Sequence, residues 1–117
     1  MTDRKAIKSL FGGHCAYCGE ELGDSFEIDH IVPIRRGCDV PYAGVDSAEN
    51  CYPACRSCNR SKKCYGLEVW RKVIAGKLNE LNRDSAAYRT AKRYGLVQET
   101  GAVVVFYFER FIFNSPQ

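Results

Sequence analysis

Asn50-Cys51-Tyr52-Pro53-Ala54-Cys55-Arg56-Ser57-Cys58-Asn59-Arg60-Ser61-Lys62-Lys63 is the stretch on which the reading of this chain turns. Asn50-Cys51-Tyr52 suits a short strand, and Arg56 to Lys63 has the composition of a helix that begins around the pair Cys55/Cys58. A second Cys-x-x-Cys pair, Cys15/Cys18, lies upstream. Each pair can turn two thiolates toward one ion, so the two together supply the four sulfurs of a closed tetrahedral structural zinc site. Seven cysteines in all is an odd count, which weighs against a disulfide framework. With no charged-then-apolar leader at its start, the chain is expected where thiols stay reduced. Cys51 and Cys64 are expected to pack as small hydrophobes, and Cys38 to be a free thiol in a long loop.

Between the two pairs, Phe26-Glu27-Ile28 is a strand candidate. Pro33 and Arg35-Arg36-Gly37 stop it near His30 and open a loop that runs to about Glu49. The centre therefore reads strand, strand, helix. Upstream, Thr2 or Asp3 caps a helix carrying Ala6, Ile7, Leu10 and Phe11 at helical spacing, ended by Gly12-Gly13. Downstream, Leu67, Trp70, Val73, Ile74, Leu78 and Leu81 keep a helical period through Gly76, which predicts one helix. Asp84 or Ser85 caps another with Ala87, Tyr88 and Ala91 on one face, and Gly95 closes it in the left-handed conformation. Val103 to Phe108, β-branched and aromatic, predicts a final buried strand. Trp70 and the C-terminal Tyr/Phe set are expected in the core.

At 117 residues, 45% hydrophobic and 26% charged, the chain is expected to be one folded, soluble domain. Its longest apolar run, Ala102 to Phe108, is far short of the roughly 20 residues of a membrane helix. The formal net charge of +3 is unevenly spread: residues 1–55 carry −4, residues 56–93 carry +8 and residues 94–117 carry −1. Such a basic segment suits a polyanion surface, and equally a solvated helical face.

Asp29-His30, then Asn50, then Asn59, between and just after the cysteine pairs, form the arrangement that carries chemistry. Asp29 offers a carboxylate oxygen and Asn59 an amide oxygen, hard donors that suit magnesium or manganese rather than a thiolate-type zinc site. His30, with an ordinary pKa of about 6.5, can take a proton from water near neutral pH. Taken singly, each has a plainer explanation: His30 a buried, hydrogen-bonded histidine, Asp29 a turn residue, Asn50 an Asx-turn former and Asn59 an exposed helical residue. Their joint placement around the cysteine pairs favours a hydrolytic site. Adjacent strand residues face opposite sides, so Asp29 and His30 address one phosphate only if the strand ends there.

Cys15-Ala-Tyr-Cys18, Ile28-Asp29-His30-Ile31-Val32-Pro33, Asn50 and Cys55-Arg-Ser-Cys58-Asn59-Arg-Ser-Lys62 resemble the HNH (His-Asn-His) endonucleases of the ββα-metal fold. Leu67 to Arg71 and the segments beyond it resemble the tail of small phage and bacterial members. The resemblance implies His30 as general base and Asp29 and Asn59 as ligands of a catalytic divalent ion. It further implies that Asn50 orients His30 and the catalytic loop, and that the four cysteines hold zinc. Asn59 stands where the family name expects a second His, and Gly37-Cys38 where Gly-Gly is frequent.

The expected architecture is α+β: a ββα-metal core with structural zinc, flanked by an N-terminal helix, two C-terminal helices and a final strand. Residues 1–117 form one domain in this reading, with the core at about 14–66 and the extension at about 67–113. The expected activity is metal-dependent hydrolysis of DNA phosphodiester bonds, with magnesium or manganese, or else nickel or cobalt, as catalytic ion. Arg35, Arg36, Arg56, Arg60, Lys62 and Lys63 are the expected nucleic-acid contacts. A cytoplasmic location is expected, with a homodimer or phage packaging proteins as further partners. The alternative is an inactive zinc-stabilised nucleic-acid-binding or interaction module.

Overall fold

The computed structural model describes residues 3–34, 44 and 46–114, with side chains through Arg110. Helix α1 (Arg4–Ser9) begins where the Asp3 carboxylate accepts the Lys5 and Ala6 amides. It buries Ile7, with Phe11 beyond its end, and the chain then turns through Gly12 and Gly13, at φ of 64° and 85°.

Strand β1 (Glu27–His30) pairs antiparallel with β2 (Cys51–Ala54), in the register Glu27↔Ala54, Ile28↔Pro53, Asp29↔Tyr52 and His30↔Cys51. Pro53 is tolerated because this sheet has two strands among the described residues, so each is an edge. Helix α2 (Arg56–Lys62) follows immediately, and Lys63, at φ 52°, ends it. Sheet and helix together form a ββα unit, and the fold is α+β as expected.

Four helices succeed it among the described residues. Helix α3 (Leu67–Ala75) and helix α4 (Lys77–Asp84) occupy the span expected to be one helix. The break falls at Gly76, the residue of that span with the poorest helix propensity. Ser85 caps helix α5 (Ala86–Arg93) through its hydroxyl on the Tyr88 amide. Gly95, at φ 75°, closes it with paired bonds from Leu96 to Ala91 and from Gly95 to Lys92.

The expected final strand is corrected. Residues 101–106 belong to no strand, and helix α6 (Tyr107–Asn114) begins inside the expected segment. The amides of Tyr107 and Phe108 bond to the carbonyls of Tyr17 and Ala16 rather than to a neighbouring strand, and Glu109 accepts the Phe106 amide, which starts the helix. Local β propensity is overruled by this docking onto the first cysteine turn. Phe106 is buried in consequence, stacked on Trp70 at 5.0 Å, with Tyr17 edge-on to both. Arg71 secures the segment through the Val104 carbonyl and the Glu109 carboxylate.

Candidate active site and metal centre

Two tight turns bring the cysteines together. In the first, the Gly19 amide bonds to the Cys15 carbonyl and the Cys15 amide to the Glu20 carbonyl. In the second, Cys55 is the N-terminal cap of α2 and its sulfur accepts the Cys58 amide. All four sulfurs lie within 4.8 Å of one another, and those of Cys18 and Cys55 are 3.8 Å apart. A tetrahedral zinc with Zn–S near 2.3 Å has sulfur–sulfur edges of about 3.8 Å, so the quartet fits that ion. Backbone amides of Tyr17 and Glu20 also point at the sulfurs of Cys15 and Cys18, which favours thiolates. The hydrogen bond from Cys58 holds the Cys15 thiol down to about 4, while burial pushes Cys18 up to about 11. That same bond pushes Cys58 up. Among the described residues this is the one cluster of three or more Cys, His, Asp or Glu side chains close enough to share an ion.

Cys51 and Cys64 lie outside the quartet. Cys51 is buried as expected, donating to the Ser47 carbonyl, whereas Cys64 is disulfide-bonded rather than a free small hydrophobe. Cys38 lies outside the described residues, as do Arg35 and Arg36.

The second centre is the seam between β1 and α2. Glu27 and Asp29 share one face of the strand, and Asn59 and Lys62, three residues apart, share one face of the helix. The Asn59 amide donates to Glu27, and the Lys62 ammonium lies 3.0 Å from Asp29 Oδ2. Tyr17 donates to that same oxygen. Burial pushes the Asp29 carboxyl upward against the pull of Lys62, and burial together with the neighbouring carboxylate pushes Tyr17 upward. The donor set on this seam, carboxylates and an amide oxygen, fits a hard divalent cation.

His30 is the last residue of β1, so the strand ends where His30 and Asp29 must part from regular alternation to address one phosphate. Its Nε2 donates to Asp46 Oδ1 at 3.0 Å, which leaves Nδ1 as the basic nitrogen, and its side chain is 29% exposed. Just beyond, Asn50 grips Val32 from both sides: its Oδ1 accepts the Val32 amide and its Nδ2 donates to the Val32 carbonyl. The Asn50 carbonyl also accepts the Ile31 amide, so the turn that leaves His30 is held at three points.

Of the expected phosphate contacts, Arg56, Arg60 and Lys63 are exposed, and Arg56 lies 3.7 Å from Glu27. Lys62 is corrected: its side chain has no exposure, because its ammonium is committed to Asp29 and to the His30 carbonyl. Tyr17, Glu27 and Asp46 were not singled out by the sequence. Glu27, two residues before Asp29 on a strand, was legible by alternation; the other two become neighbours of the site only through folding.

A family model described as HNH endonuclease matches residues 15–63. A protein assigned as an HNH endonuclease, YoqL of the SPbeta prophage in Bacillus subtilis (strain 168), is 35% identical over 66 residues. That match covers 54% of this chain and 29% of the relative's length. The Type II-C Cas9 enzyme from Actinomyces naeslundii is 33% identical, with a TM-score of 0.48, over 59% of this chain and 7% of that one. Residues 15–63 thus resemble the HNH endonuclease family, and the cysteine quartet fits the zinc-knuckle branch of that family.

Proposed function

We propose that the chain is a metal-dependent endonuclease that hydrolyses phosphodiester bonds of DNA, with a structural zinc on Cys15, Cys18, Cys55 and Cys58. The observation that carries the reading is the setting of His30: a half-buried imidazole whose Nε2 is engaged by Asp46, on a turn clamped by Asn50. Nδ1 then takes a proton from water as the water oxygen bonds to phosphorus and the bond to the leaving oxygen breaks. Asp29 and Asn59 are the residues that would hold magnesium or manganese, which when bound neutralises charge on the phosphate and the departing oxygen. Asn50 acts as a positioning residue through the backbone of Ile31 and Val32. Arg56, Arg60 and Lys63, exposed on or beside α2, contact flanking phosphates. Supercoiled-plasmid cleavage in magnesium or manganese tests the reading. His30→Ala should cut about 100-fold or more slowly, the usual worth of a positioned base. Cleavage at the native rate would overturn it.

A further inference from the structure

The buried pair on the seam has a consequence for how the site loads. Lys62 has no exposed side-chain surface and Asp29 is 5% exposed. The ammonium touches Asp29 Oδ2 and the His30 carbonyl, each at 3.0 Å, and Tyr17 donates to that same Oδ2. A lysine buried this deeply gives up its hydration, and hydrophobic replacements of such pairs are often as stable, so packing alone is a weak reason for it. Its position says more. Asn59 and Lys62 stand one turn apart on α2, opposite Glu27 and Asp29 on β1, so the ammonium sits beside the donor set a divalent ion would use.

We propose that Lys62 is the resident cation of this site: it balances Asp29 in the metal-free protein and keeps a divalent ion from loading until a phosphodiester arrives. This rests on the metal-dependent reading given above. The charges facing the seam are Asp29 and Glu27 against Lys62 and Arg56, with His30 at the end of the strand. They already cancel, so a dication entering alone leaves two uncompensated positive charges in a poorly hydrated place. A phosphate bound with the ion supplies the missing negative charge. Oδ2, which already accepts two donors, becomes free to the ion only as the ammonium shifts from it. Lys62 is therefore a positioning residue that couples metal binding to substrate binding, and not a contact to the DNA surface.

The test is calorimetric binding of manganese to the zinc-loaded protein without DNA. Lys62→Met keeps length and removes charge, and should bind manganese about tenfold or more tightly than the native chain. Unchanged or weaker binding overturns the proposal. Should that variant not fold, the native protein decides by nitrogen NMR. Magnesium added together with a short DNA duplex should then shift the Lys62 ammonium resonance and the Asn59 side-chain amide, and magnesium alone should leave both still. A Lys62 resonance that moves with magnesium alone, or that stays still when magnesium and DNA are both present, overturns the proposal. The two readings fail separately. An uncut plasmid with tightened manganese binding in Lys62→Met sinks the endonuclease and keeps this inference, and a cut plasmid with unchanged binding does the reverse.

Discussion

The cysteine-bearing core and the α4–α5 hairpin are built on opposite plans. In the core, Cys15, Tyr17, Asp29, Cys51, Ala54 and Lys62 are buried, and they come from segments distant in sequence. In the hairpin, neither helix buries a single residue, and Leu78 and Leu81 are each 40% exposed. Its order comes from neighbours in the chain: Arg89 donates to the carbonyls that end α4, Lys92 reaches Asn82, and Glu99 accepts from Asn82 and Tyr88. A two-stranded sheet and a seven-residue helix offer little apolar area, so the core is held by sulfur, ion pairs and aromatic rings from the C-terminal segment. The hairpin rests on capping and surface polar bonds, each worth little by itself.

The contrast can be broken most forcefully at adjacent residues of α2. Cys58→Ala removes one sulfur of the quartet and is expected to lose zinc and the cooperative melting transition, because structural zinc contributes on the order of 10 kcal/mol to folding. Asn59→Ala leaves the sulfurs in place. It should keep zinc content and circular dichroism and melt within a few degrees of the native chain, while plasmid cleavage collapses. If both variants lose zinc alike, the two centres are not separable.

A smaller effect separates the aromatic core from the hairpin. Trp70→Ala deletes a ring that is 1% exposed, stacks on Phe106 and donates to Ser61, and should cost about 3–5 kcal/mol in denaturant unfolding. Leu81→Ala, at 40% exposure, should cost about 1 kcal/mol or less. Equal losses would show the hairpin to be as integral as the core.

The smallest effect concerns Glu99, whose carboxyl is held down to about 2 by bonds from Asn82, Tyr88 and Lys92. Its folded value lies below the ordinary 4.5, so its contribution is complete above that pH and fades as pH falls toward about 2. Protection of the α5 amides, taken relative to their intrinsic exchange rate at each pH, should therefore fall below pH 4.5 in the native chain, and Glu99→Gln should show less protection at neutral pH with less acid dependence. An acid response unchanged in the variant would remove Glu99 as its source.

Much of the site was legible in the chain because its signals are local. A Cys-x-x-Cys turn places two sulfurs through its own backbone, Asp3 and Ser85 cap with their own side chains, and Pro33 lies just past the strand that His30 ends. The errors arose where the partner is remote. Lys62 reads as one cation among many in the +8 segment, and what buries it is Asp29, from a strand more than thirty residues earlier. Val103 to Phe108 has every local mark of a strand, yet the carbonyls that take its amides belong to the first cysteine turn, and they leave it no ladder to join. Composition and spacing decided the cysteine quartet and the element types near it. Tertiary structure decided which charges face water and which face each other, because burial and pairing depend on where a remote segment docks, and nothing in the local sequence encodes that.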